Sequence, residues 1–235
     1  MAFQHFNDWM NFLQIYSSSF QDYWLGENFG GRFFLKLLPC KYSMMLSLGS
    51  SYSLAFEKQF SNMTLASVVH YGRAYKNPPH PRVFAQKKNP TQHGYEELEA
   101  NFTSFVKIDC GGGEWKWLQN IPSHALDNIK QMIVVFNNFQ KSTEKKSKIL
   151  TDLCNTHYCV HIQPDNNKGT FTHPSKNFPI FQKFRATYIH RSFFEGSPKL
   201  NTKSFPWPND RPINPSRPLA TINYPPYVRK SRNQD

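Results

Sequence analysis

FVKIDCGGGEWKWL, residues Phe105 to Leu118, decides how this chain reads. An apolar run, Phe105 to Ile108, ends in a single acid, Asp109. Three glycines follow, then Glu114 and a Trp-x-Trp pair. A strand that stops at a carboxylate and turns through glycine is how an open α/β sheet presents a polar group at its carboxyl edge, where ligands of such sheets bind. Asp109 and Glu114 are therefore candidate functional acids. In a purely structural role, Asp109 would cap the turn and Glu114 the helix start, where free N–H groups favour negative charge.

Strands and helices alternate outward from this stretch. Strands are predicted at Tyr42–Leu48, Leu65–Tyr71, Ser104–Asp109, Gln131–Phe136, Thr156–Gln163 and Ala186–His190. Helices are predicted at Ser53–Asn62, near Glu96, and at Trp115–Asn120, His124–Lys130 and Glu144–Asn155. The alternation predicts an α/β fold with a mainly parallel sheet and helices on both faces. Residues 2–24 carry Phe3, Phe6, Met10, Leu13, Tyr16, Phe20 and Trp24 at helical spacing, which predicts an amphipathic helix laid on the domain. From Gly196 onward eight prolines fall in forty residues. Proline removes backbone donors and blocks helix, so an extended strap is expected there. Its Phe205, Trp207, Tyr224 and Tyr227 predict that it lies against the domain. The expected division is a helical extension over 1–31, an α/β domain over 32–195 and a proline-rich basic tail over 196–235.

Composition sets the bounds. The 235 residues suffice for one α/β domain with extensions, and no apolar run approaches the roughly 18 residues of a membrane-spanning helix. The amino terminus has no Lys or Arg before Arg32 but holds Asp8, Asp22 and Glu27. That charge is wrong for a signal peptide or presequence and predicts a cytoplasmic protein. Without a leader, the sequons at Asn62 and Asn101 read as chance. Four scattered cysteines (Cys40, Cys110, Cys154, Cys159) make neither a disulfide framework nor a zinc site. His157 and His161, four apart on one predicted strand, share a face. With His70 or His190 they could approach a metal, but no carboxylate accompanies them, so core or edge histidines are the favoured reading. Residues 140–235 hold sixteen Lys and Arg against six Asp and Glu, while residues 1–139 hold twelve against ten. A basic half of this kind suits nucleic acid, an anionic glycan or an acidic protein partner, with simple solubility charge as the alternative.

With these elements in order, the chain resembles the FkbM-like branch of the S-adenosylmethionine-dependent methyltransferases over most of its length. Gly26-Glu27-Asn28-Phe29-Gly30-Gly31 looks like that branch's opening G-x-N-D-G-G. YSMMLSLGSSYSLAFE, Tyr42 to Glu57, looks like its first strand, glycine loop and Phe-Glu, and KIDCGGGEWKW, Lys107 to Trp117, like its K-I-D-x-E-G-x-E-W. NTHYCVHIQPDNN, Asn155 to Asn167, and the closing LNTKSFPWPNDRP with NYPPYV look like its later strand and proline-rich end.

The resemblance implies a Rossmann-like sheet binding S-adenosylmethionine, with methyl transfer to an oxygen of a sugar or other hydroxyl compound. It places the donor at Gly49, Glu57, Tyr71 and Asp109, and the acceptor near Asp109, Glu114 and Asn137, where an acid must orient or deprotonate the hydroxyl. The chain departs from the family mainly at acids. His70-Tyr71 stands where the family has Phe-Asp, Gly111 replaces the second acid of the main motif, and Val135-Phe136-Asn137 replaces Glu-Phe-His. Asn166 and Asn167 match a family segment that lines the crevice; otherwise they form a turn. Two function classes follow: a divergent methyltransferase, or a catalytically inactive methyltransferase-like subunit that offers its basic surface to a polyanion or a protein assembly.

Overall fold

The computed structural model of the chain describes residues 12–27, 32–50, 53–74, 79–140, 144–172 and 178–229. A hairpin, β1 (Gln21–Leu25) and β2 (Phe33–Leu37), precedes β3 (Met44–Gly49), α1 (Ala55–Thr64), β4 (Ser67–Tyr71) and β5 (Val83–Gln86). Next come α2 (Tyr95–Glu99), β6 (Ser104–Asp109), α3 (Glu114–Asn120), α4 (Ser123–Asp127), β7 (Ile129–Phe136) and α5 (Glu144–Thr156). The chain then forms β8 (His157–Pro164), a small hairpin of β9 (Thr170–Thr172) and β10 (Pro179–Phe181), and β11 (Phe184–His190). The central sheet has seven strands in the order β5-β4-β3-β6-β7-β11-β8, and only β11 runs opposite to the other six. The expected α/β fold with a mainly parallel sheet and flanking helices is what forms.

The strands of the centre are buried on both faces, so they read as near-continuous apolar runs. One face carries Leu46, Val106, Met132, Val134 and Tyr188, which pack with α3, α4, α5 and the carboxyl-terminal strap. The other carries Met45, Phe105, Ile133 and Val135 against α1 and the β1–β2 hairpin. The chain winds outward from β3 to β5, then returns to lay β6 on the other side of β3. This reversal puts the sheet's switch point between the carboxyl ends of β3 and β6.

The hairpin stands edge-on to its face of the sheet. One edge of β2 pairs with β1. Its other edge is held by side chains of β7 and β11. Gln131 bonds the N–H and C=O of Lys36 at 2.7 and 2.8 Å, the Thr187 hydroxyl donates to the Phe34 carbonyl at 2.9 Å, and Arg185 donates to the Arg32 carbonyl at 2.7 Å. Every second residue of an extended chain presents its backbone groups to one side, and Arg32, Phe34 and Lys36 are that set. Side chains of β2 therefore fall alternately left and right. Phe33 and Leu35 join the cluster under α1, while Phe34 joins Leu38, Val160 and Ile189 beside Trp24 and Trp207.

The amphipathic helix expected over residues 2–24 does not form from Gln14 onward. Residues 1–11 lie outside the described residues, and from Gln14 the chain is extended into β1. Tertiary bonds override the helical spacing there: Tyr16 N–H bonds the Cys159 carbonyl at 2.8 Å, and Asn201 N–H bonds the Ile15 carbonyl at 2.7 Å. The boundary expected at residue 31 falls within the hairpin. The strap is extended and inserted, with Phe205, Ile222, Tyr227 and Val228 all buried in the main core.

Replacing Gln131 by Leu orphans the buried N–H and C=O of Lys36, at about 1–3 kcal/mol for each group. The expected result is a lower denaturant midpoint at unchanged slope, worth about 3 kcal/mol, with earliest loss of amide protection in β1 and β2.

Candidate functional site

The carboxyl ends of β4, β3 and β6 meet without side chains between them. Gly49 lies opposite Asp109 in the ladder. A Cβ on Gly49 would stand 2.0 Å from the Asp109 carbonyl oxygen, and one on Gly72 would stand 1.7 Å from that of Gly49. Both glycines have positive φ, +128° and +139°. The strand ends are thus in backbone contact, which only glycine permits.

Asp109 sits half-buried on this edge, beside the switch point. Glu114 and Asn137 are brought into direct contact. Glu114 is fully buried at the start of α3 and accepts from Gly112 N–H at 2.8 Å, Asn137 N–H at 2.7 Å and the Asn137 side-chain amide at 3.3 Å. Burial raises its carboxyl pKa despite these donors. Trp115 adds an indole bond to the Asn137 carbonyl at 2.8 Å. Both Glu114 oxygens are occupied in fastening the ends of β6 and β7 together. Glu114 thus acts near the helix start, although it bonds the preceding turn and the residue that follows β7.

Glu57 does not reach the edge. It descends from α1 onto a polar row formed where His70, Ser47 and Lys107 lie side by side across β4, β3 and β6. Its Oε1 accepts from Lys107 Nζ and from the Ser47 hydroxyl, each at 2.7 Å. Ser47 has one proton and donates it to Glu57, so His70 Nδ1, 3.0 Å away, must be the donor to Ser47 Oγ. Burial holds His70 neutral, with its pKa lowered to about 4. The Lys107 charge and the hydrogen bonds outweigh burial at Glu57 and lower its pKa. Glu57, expected at the donor site, is the counterion to a lysine buried in the sheet.

Tyr71, at the end of β4, is buried. Its ring stacks on His93 at 5.1 Å and its hydroxyl bonds the Glu97 carboxylate of α2. Burial and then Glu97 push its pKa up to about 12. Sequence reasoning missed Glu97, Ser47 and Lys107. The lysine inside the apolar run of β6 was itself a signal, because a buried ammonium requires a partner.

The histidine pair does not share a face. A bulge at Val160 sets His161 opposite Thr187 but Cys159 opposite Tyr188, so His157 and His161 point to opposite sides of β8. His157 bonds the Ile129 carbonyl at 2.8 Å, while His161 lies 3.0 and 3.2 Å from the Asp210 carboxylate oxygens under the Phe34 ring. Asp210 also accepts from Trp207 N–H at 2.8 Å and from the Trp24 indole at 3.4 Å, which locks the strap onto β8 and the hairpin. Among the described residues no group of three or more His, Cys, Asp or Glu could hold a metal ion. None of their helices is long and apolar enough to cross a membrane.

Three cavities lined wholly by described residues lie away from Gly49 and Asp109. The first, about 540 Å³, runs between α3, α4 and α5, and another, about 620 Å³, lies between the hairpin and the strap. The third, about 260 Å³, lies beside Tyr16 and Arg191.

No family model matches the chain, and no curated protein matches it. Among solved structures it is similar to the crystal structure of "a putative hemolysin from Lactococcus lactis" at 12% identity and a TM-score of 0.40, over 65% of this chain and 80% of that one. A likeness this slight carries no functional argument.

Two outcomes follow from the buried charges. Lys107→Met leaves Glu57 uncompensated and should cost about 3–5 kcal/mol, whereas adding Glu57→Leu should recover most of that loss in a double-mutant cycle of denaturant midpoints. The partners of Asp210 hold its pKa below the usual carboxylate range against burial. Its contribution is therefore complete above its unfolded value of about 3.9 and is lost as pH falls through the folded value. Acid titration followed by Trp fluorescence should report the strap loosening below about pH 4, a transition that Asp210→Asn abolishes.

Proposed function

We propose that this chain is a methyltransferase-like scaffold, of the Rossmann-like kind its resemblance implies, that serves as a structural or interaction subunit and does not transfer methyl groups. The observation that carries this reading is the prior commitment of the crevice's polar groups. Glu57 neutralises Lys107, Glu114 and Asn137 clamp each other, and Tyr71 occupies the end of β4 where a ribose carboxylate would stand. A ligand recruiting any of them must first break a protein bond, and each lost charged hydrogen bond removes about 1.5–3 kcal/mol of the roughly 8 kcal/mol that micromolar binding requires.

The switch point between β3 and β6 supports the methyltransferase ancestry, because that is where an open α/β sheet places its ligand. One contact favours the enzyme as a second reading. Glu97, carried by α2 to the Tyr71 hydroxyl, stands near the end of β4 and could supply the carboxylate that the strand itself lacks.

Calorimetric titration with S-adenosylmethionine and with its demethylated product separates the two. The scaffold reading expects no binding at millimolar ligand by a protein whose unfolding remains cooperative. Micromolar binding that is lost in Glu97→Gln would overturn it in favour of the enzyme.

A further inference from the structure

The two edges of the central sheet end differently. The β8 edge is closed: Tyr16 N–H bonds the Cys159 carbonyl at 2.8 Å, and Gln163 bonds the Arg211 carbonyl of the strap. At the β5 edge no further strand follows among the described residues. The carbonyls of Arg82 and Gln86 turn inward, accepting from Val68 N–H at 2.7 Å and from Gly72 N–H at 3.0 Å. Alternation along an extended chain therefore turns the Val83 carbonyl and both backbone groups of Ala85 outward. Val83 and Ala85 pack their side chains under α1, while Phe84 stands 52% exposed on the opposite face.

One sign of charge surrounds this edge. Between Glu57 and Glu96 the sequence has six Lys and Arg and no Asp or Glu. Glu57 itself is buried and answered by Lys107, and Glu97, the acid carried to the end of β4, is bonded to the Tyr71 hydroxyl. Arg82 precedes β5 and donates to the Ser61 hydroxyl at 3.2 Å, not to a carboxylate. Lys87 and Lys88 follow β5, are exposed, and enter no ion pair among the described residues.

We propose that the β5 edge takes an added strand from an acidic, extended polypeptide. Outward N–H and C=O groups at strand spacing are complemented by another polypeptide backbone, which a nucleic acid or a glycan does not offer. Cations at both ends of β5 favour acidic side chains on that strand, and the Phe84 ring gives one of its apolar residues a surface to cover. A second copy of this chain is the wrong occupant, because pairing β5 with β5 would set the two groups of cations against each other. The inference names a partner class for the scaffold reading and rests on that reading for its purpose alone.

Fluorescence anisotropy of a labelled octapeptide of alternating Glu and Val against the full chain tests it. Saturable binding is expected, and added salt should weaken it because the cations are exposed. The same peptide N-methylated at every residue keeps its charge, loses the N–H groups that pair, and should bind about tenfold more weakly. Ala85→Pro deletes the outward donor at an edge position that tolerates proline and should weaken binding by a similar factor. K87E/K88E should do the same, whereas K145E/K148E on α5 changes net charge equally and should weaken binding less than about twofold. Near-UV circular dichroism checks the fold of each variant, and the methylated peptide needs none. No saturable binding, equal binding of the methylated peptide, equal weakening by the two lysine pairs, or tighter binding of the Lys-Val peptide would overturn the proposal. Failure of the peptide leaves the scaffold reading standing, and micromolar binding of S-adenosylmethionine overturns that reading and leaves the edge untouched, so the two failures are distinguishable.

Discussion

A strand buried with only one neighbour leaves an edge of N–H and C=O groups that must find partners, at about 1–3 kcal/mol for each one orphaned. β2 is that strand, and the rest of the molecule is arranged around the solution. Gln131, Thr187 and Arg185 rise from two largely apolar strands to meet Lys36, Phe34 and Arg32. Polar residues at these positions would be unfavourable in a sheet face covered by helix. They are required in one covered by a strand on edge. The consequence reaches the carboxyl terminus. Phe34, turned to one side by the docking, stacks on His161 and meets Trp207 at 5.3 Å, and through them Asp210 holds the strap.

The sheet was legible because its strands are short apolar runs punctuated by glycine and because its helices carry their own periodicity. The run Ser104–Asp109 is reproduced residue for residue, and the helices shift at their ends by a few residues. The hairpin was not legible. QDYWL continues the helical spacing that begins upstream, so only the tertiary bonds at Ile15 and Tyr16 show that the chain is extended. β5, a four-residue edge strand, lacks the length that makes alternation visible. The bulge at Val160 is a one-residue irregularity with no sequence mark, yet it reverses the facing of His157 against His161.

The candidate site divides in the same way. Asp109, Glu114 and Asn137 follow the carboxyl ends of β6 and β7, because a strand end fixes position along the chain. Their partners were not legible, because Asn137 lies 23 residues from Glu114 and Lys107 lies 50 from Glu57. Lys107 shows how local and tertiary information separate. Its need for a carboxylate follows from the strand alone. Which carboxylate answers it depends on where α1 lands.

The glycines bear on what a surviving motif proves. Gly49 reads as the residue that lets a cofactor approach the backbone. The same position is forbidden to any other residue by a protein contact, the Asp109 carbonyl at 2.0 Å from where a Cβ would stand, and Gly72 is constrained in turn by Gly49. Substitution there forces positive φ on an L-residue and drives apart two paired strands, together worth about 3 kcal/mol or more. Stability alone would keep these glycines whether or not a ligand binds beside them. An acid that only bonds a ligand has no such protection, and the end of β4 has none. Where fold and chemistry draw on the same residue, its presence cannot distinguish them. By that criterion Gly49 and Gly72 are accounted for by the fold alone.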